Sequence, residues 1–309
     1  MRGGVLTGFL WLIACGEVGT GVEGLDAGPA DLAARDQGPG DQGHRVDAQE
    51  VDAGFADAGE GDAGEGDASW VDAAPNDGGG IRIEGRTLLV DGAPFLIRGV
   101  GWNPVRRGGT HPQGLEFAAT VEGDSTMMVA AGINVVRTYT TIDDRAVLDV
   151  LWSKGLRVLM TVYAYGGEGP EVVGPRVQAL ADHPAILMWL IGNEWNYNGL
   201  YVGMSHADAL ARLNDVAQRI RAVDPLHPIA TVYGELPSPE TIAAMPRVDA
   251  FGINAYRGLS FYDLFDRYEE RSTKPMFLAE YGADAYNANL PGEDQAAQAL
   301  AVTTLAMEI

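Results

Sequence analysis

From about residue 95 onward the chain alternates two kinds of pattern. Short unbroken apolar runs, at 134–139, 157–163, 186–191, 229–233, 248–253 and 276–279, are separated by longer stretches with apolar positions three and four apart. A strand buried on both faces, as in a parallel sheet, reads as a continuous apolar run rather than an alternating one. Ahead of these runs, residues 81–83 and 87–90 flank Glu84-Gly85-Arg86, and the turn Asp91-Gly92 leads into 95–100. This pattern predicts a hairpin followed by one more strand.

The helices between the runs carry their own limits. One is predicted from about Asp143 to Lys154, ending at Gly155, with Thr141 and Asp144 spaced as a capping box. A second opens at Ser205, with Asp208 three residues on. It lines Leu210, Leu213, Ala217 and Ile220 along one side and stops before Asp224-Pro225. Ser238-Pro239 opens a third with proline in its first turn, and a last one starts near Glu293 and runs to Ile309. Strand–helix units repeated in this way build a doubly wound sheet or a (β/α)8 barrel. Counting 95–100 as the first, the 309-residue sequence supplies seven barrel strands, so an eighth is expected to be lacking.

The first 80 residues follow neither pattern. Arg2 precedes an apolar run from Val5 to Ala14 that ends at Cys15, the single cysteine. The run is too short to span a bilayer and has the build of a secretory signal. Leu12-Ile13-Ala14-Cys15 resembles the bacterial lipobox, which implies cleavage before Cys15, lipidation of its thiol and a membrane anchor at the cell envelope, at the outer membrane or cell surface. A plain secretory signal is the other reading. In residues 16–80 an aspartate recurs every five positions, from Asp26 to Asp41 and again from Asp47 to Asp77. That period fits neither helix nor strand, and so few large apolar groups cannot offset the entropy of ordering. A disordered acidic linker is expected there, rather than a calcium site, because the closely spaced ligands of one are not present. The division is therefore 1–15 signal, 16–80 linker and 81–309 an α/β barrel domain, incomplete at its C-terminal end.

Of the net charge of −22, residues 16–80 account for most, with sixteen acidic residues against two arginines. A net acidic chain without a basic stripe is a poor match for nucleic acid. One cysteine excludes an internal disulfide, the five histidines show no ligand spacing, and neither a metal nor a cofactor is expected.

Chemistry on a barrel sits at the C-terminal ends of the strands. Run 186–191 leads into Gly192-Asn193-Glu194-Trp195-Asn196, run 276–279 into Glu280-Tyr281-Gly282, and run 248–253 into Asn254-Ala255-Tyr256. One such glutamate reads as a loop carboxylate; two, on strands of one barrel, suggest a pair. With Asn134–Arg137 these motifs resemble the clan A glycoside hydrolases, retaining β-glycosidases that include families 2 and 5 and the fungal wall glucanosyltransferases. The resemblance spans roughly residues 93–300. It implies Glu194 as acid/base, Glu280 as nucleophile, Arg137 and Tyr256 beside the nucleophile, and Asn193 on the sugar 2-hydroxyl. Trp102 and Trp195 are the expected aromatic platforms for a sugar ring. Tyr165, Tyr197 and Tyr286 stand on the same face, and Trp152 and Trp189 are expected in the core. The implied activity is hydrolysis of a β-linked glycan through a covalent intermediate. Transglycosylation by the same chemistry and a non-catalytic carbohydrate-binding lipoprotein are the alternatives.

The resemblance departs from its families in three ways. The β-sandwich domains that precede the barrel in family 2 are replaced by the acidic linker. The disulfides of the fungal transferases have no cysteines to form them. The last strand, a frequent source of a substrate-binding tryptophan, is not found.

Overall fold

A computed structural model of the chain describes residues 11–14, 80–106, 108–283, 285–287 and 292–309. Cys15, the linker up to residue 79 and Arg107 lie outside the described residues.

The sheet runs in sequence order. Strands β5 (Arg98–Gly101), β6 (Val135–Arg137), β7 (Arg157–Tyr163), β8 (Ile186–Ile191), β9 (Ile229–Gly234), β10 (Ala250–Asn254) and β11 (Met276–Glu280) pair consecutively and in parallel. These seven form a nearly closed barrel. The short strand β1 (Trp11–Ala14), from the segment read as a signal, pairs in parallel with β5 at the sheet's open end.

Around the strands run α1 (Phe117–Ala130), α2 (Arg145–Ser153), α3 (Val173–Leu180), α4 (Trp195–Asn198), α5 (His206–Val223), α6 (Pro239–Ala243), α7 (Leu264–Arg271) and α8 (Gln295–Ala306). Every residue of β8, β9, β10 and β11 is buried, the consequence of covering a parallel sheet on both faces. One apolar cluster joins Val136, Met160, Ile186, Trp189 and Phe251 to helix residues Leu148, Leu151, Leu213 and Ile220. The other fills the barrel with Val135, Leu159, Leu187, Leu190, Val232 and Phe277.

Strands β2 (Ile81–Glu84), β3 (Thr87–Val90) and β4 (Ala93–Pro94) make a small antiparallel sheet. Its Leu88 and Val90, with Ile97, belong to the interior cluster, so the hairpin plugs the barrel at one end. Barrel strand β5 therefore starts at Arg98 rather than 95: Ala93 and Pro94 pair back on β3, and the Phe95 N–H donates to the Leu88 carbonyl at 2.9 Å.

Capping follows short-range chemistry with one difference from expectation. Ser205, Ser238 and Asp294 accept from the backbone at the starts of α5, α6 and α8. At α2 the cap is Asp144, accepting from Ala146 at 2.9 Å, while the Thr141 hydroxyl donates across to the Thr161 carbonyl at 3.0 Å. Trp189 is buried, but Trp152, expected in the core, lies on the outer face of α2 at 40% exposure under the Arg157 guanidinium.

Candidate active site

The polar groups at the C-terminal ends of β6, β8, β10 and β11 converge on one point. Arg137 ends β6 with its side chain 1% exposed and makes an ion pair with Glu280 at the end of β11, 2.6 Å from Nη1 to Oε1. The same nitrogen donates to the Ala279 carbonyl at 3.0 Å, and Nη2 donates to Asn193 Oδ1 at 2.5 Å. The Arg137 guanidinium also stands over the Tyr139 ring at 4.4 Å. The phenol of Tyr256, beyond β10, donates to the second oxygen of Glu280 at 3.0 Å. Pairing between β10 and β11 slips after Ile253, which brings Asn254 level with Glu280.

Glu194 follows β8 by three residues. Its backbone is left-handed, with φ of 46°, and its N–H donates to the Val232 carbonyl of β9 at 3.1 Å. A non-glycine residue in that region is uncommon and tends to sit where function requires it. Gly192 makes the turn possible at φ of 70°: a Cβ there would lie 2.7 Å from Trp195 Cδ1. Burial first, and then the negative charge of Glu280, push the Glu194 carboxyl above the ordinary carboxylate range; a hydrogen bond from Asn254 and the charge of Arg137 work against them. The two glutamates therefore lie within each other's electrostatic reach in different environments, one ion-paired to Arg137 and one raised by burial and by its neighbour's charge. Burial and Glu280 also raise the phenols of Tyr139 and Tyr256, so both are neutral hydrogen-bonding groups at physiological pH.

The expected tryptophan platforms are elsewhere. Trp195 is 0% exposed, its indole N–H bonded to Thr231 Oγ1 at 3.0 Å and its ring between His206 and Tyr233. It anchors the turn that carries Glu194 and presents no face to a sugar. Trp102 is buried at 4%, edge-on to Phe117 and bonded to Asp124 at 2.9 Å. Its backbone N–H braces the Arg137 carbonyl at 2.8 Å. The accessible rings at this end are tyrosines: Tyr197, Tyr201 and Tyr256 are 57%, 50% and 43% exposed. The Tyr286 side chain lies outside what the structure describes.

Three of the converging residues carried no role in the sequence. Tyr139 lies two positions past Arg137, and the period of two along a strand was its available signal. Asn254 was visible only as part of a motif. Tyr201 had no local signal at all.

Residues 169–302 match the model of glycosyl hydrolases family 2, TIM barrel domain. The β-glucuronidase of Sus scrofa is 22% identical over 228 residues, which cover 66% of this chain and 33% of that protein. Among solved structures, the β-D-glucuronidase of Dictyoglomus thermophilum superposes with a TM-score of 0.58 at 19% identity, over 74% of this chain and 44% of the other. A family 2 β-galacturonidase from Eisenbergiella tayi, bound to galacturonate, gives a TM-score of 0.58 at 18% identity with the same coverage. The chain thus spans a third to under a half of the length of these relatives, and the structural likeness is one of fold.

Proposed function

We propose that this chain, whose barrel belongs to the clan A glycoside hydrolases of the family 2 kind, is a retaining β-glycoside hydrolase with Glu280 as nucleophile and Glu194 as acid/base. The observation that carries the proposal is the electrostatic pairing of unlike carboxyls at the ends of β8 and β11. Glu280 is ion-paired to Arg137 at 2.6 Å, while Glu194 is raised by burial and by Glu280.

Retaining hydrolysis requires two carboxyls about 5–5.5 Å apart with split roles. Glu280 attacks the anomeric carbon as the bond to the leaving oxygen breaks, and the Glu194 proton goes to that oxygen. The glycosyl ester on Glu280 is then opened by water, whose proton returns to Glu194. Arg137 and Tyr256, each bonded to one Glu280 oxygen, fix the carboxylate for attack and take up its charge again when the ester opens. The free N–H of the Asn193 amide serves the sugar 2-hydroxyl, a contact that tightens in the transition state.

The substrate is a β-linked glycan or oligosaccharide. The names of the relatives, glucuronidase and galacturonidase, make β-linked hexuronides the first class to assay. The lipobox-like Leu12-Ile13-Ala14-Cys15 supports a lipid anchor at the bacterial cell surface, with the Asp-rich segment as tether.

Glu280→Ala is the direct test. Turnover of an aryl β-glycoside should fall by several orders of magnitude, and azide should restore part of it with an α-configured product. Undiminished turnover in that variant would remove the mechanism.

A further inference from the structure

We propose that Tyr201 is a positioning residue, holding the Asn193 amide in the orientation from which it donates to a substrate hydroxyl. The idea rests on the hydrolase reading above and adds to it a residue that the strand-end motifs do not contain.

The orientation of the Asn193 amide is decided by its partners. A guanidinium only donates, so the atom 2.5 Å from Arg137 Nη2 is the amide oxygen. The Asn254 amide nitrogen approaches the same oxygen at 3.5 Å. The Asn193 NH2 is thereby turned the other way, where it donates to the Tyr201 hydroxyl at 3.0 Å. An amide nitrogen has two hydrogens. Tyr201 takes one and leaves the second for substrate. Although half of the residue is exposed, desolvation of its hydroxyl and the charges of Glu194 and Glu280 raise this phenol, while the Asn193 bond works against them.

The backbone is bent to bring it there. Leu200 and Tyr201 are consecutive non-glycine residues at φ of 58° and 63°, a region that L-residues avoid. Several contacts hold the bend. The Leu200 side chain is fully buried and its carbonyl accepts from Gly166 at 2.8 Å. A Cβ at Gly166 would lie 2.9 Å from Leu200 Cβ, so that approach requires glycine. Asn198 ties both ends of the arrangement, accepting from the Tyr201 N–H at 3.2 Å and donating to the Asn193 carbonyl at 3.0 Å. The Tyr201 ring packs on Tyr165 with centroids 5.0 Å apart. Strain over-determined in this way, and ending in one hydrogen bond to one amide, points to use of that bond.

The test is Tyr201→Phe in the full chain, which keeps the ring and removes the hydroxyl. It is assayed on a 4-nitrophenyl β-glycoside that the parent cleaves and on the 2-deoxy analogue of that glycoside. The loss of one neutral hydrogen bond is on the order of fivefold. The 2-hydroxy substrate should lose about that in kcat with KM little changed, because the contact matters most in the transition state. The 2-deoxy substrate should change by less than about twofold, with the thermal midpoint at the parent value. Equal losses on both substrates, or no loss on either, overturn the proposal and leave the hydrolase reading intact. A parent chain that cleaves no glycoside in a gluco-, galacto- and glucurono-configured panel overturns both. Full activity of Glu280→Ala overturns the hydrolase reading alone, since the two-substrate comparison still reports on Tyr201.

Discussion

Replacing Arg137 by methionine and Glu280 by glutamine, singly and together, measures how far each side chain depends on the other. The pair is 2.6 Å apart with 1% and 7% of the side chains exposed. Unit charges about 4 Å apart at an effective dielectric of about 20 interact by roughly 4 kcal/mol. Removing one partner of such a buried pair costs about 3–5 kcal/mol, mostly because the other charge is left uncompensated. Arg137→Met also strips donors from the Asn193 and Ala279 oxygens, while Glu280 keeps only Tyr256 among these contacts. Glu280→Gln leaves the guanidinium its bonds to Asn193 and Ala279. The arginine variant should therefore lose about 4 kcal/mol and the glutamine variant about 2. In the double variant neither charge is stranded, so its loss should fall to about 2 kcal/mol, well below that of Arg137→Met alone, a coupling of about 4 kcal/mol. Urea unfolding at neutral pH, followed by tryptophan fluorescence, resolves this: with a slope of about 3 kcal/mol per molar, the larger loss moves the midpoint by more than about 1 M. Additivity within about 0.5 kcal/mol would refute the account of the pair.

Two further variants test the neighbouring groups. The native state raises Glu194 by burial and by Glu280, so this group's stabilising share is complete below its unfolded value and is lost as pH rises through its folded value. Glu194→Gln should gain thermal midpoint on the parent between about pH 4 and pH 8, and melting curves that keep a constant offset across that range would contradict the direction. Trp195→Phe removes the bond to Thr231 and leaves a gap in a fully buried position. It should cost about 1–3 kcal/mol in stability with KM within about twofold; a large rise in KM at unchanged stability would return Trp195 to the substrate surface.

The strands were the most legible part of the fold, because burial on both faces leaves little room for polar residues: 157–163 and 186–191 stand as read. Helix α5 was equally clear, with a serine cap and a regular apolar stripe. Helices α1, α3 and α7 gave no comparable signal. In α1, Met127 and Val129 are exposed at 66% and 44%, so its apolar residues do not keep to one face. Helix α3 contains Gly174-Pro175 and starts without a side-chain cap, and α7 buries only Leu264 and Tyr268. In the site, the polar residues at strand ends could be read because position on a barrel strand fixes where they project. Among the aromatic residues Tyr256 was legible in the same way, as its strand-end motif places it against Glu280, but the tryptophans were not. Trp195 directly follows Glu194, but the left-handed turn sends its ring into the protein. Tyr201 reaches the site by a backbone kink that no periodicity encodes.

The hairpin under the barrel gives the molecule a floor. Leu88, Val90 and Ile97 close the apolar interior from one side, and Arg86 pins the flap by donating to the carbonyls of Glu269 and Ser272 at the end of α7. With the interior packed by oil-like side chains down to this floor, a ligand can reach the barrel only at the rim bearing Glu194 and Glu280. Changes in the rim loops can therefore reshape what binds there while the packed base stays as it is.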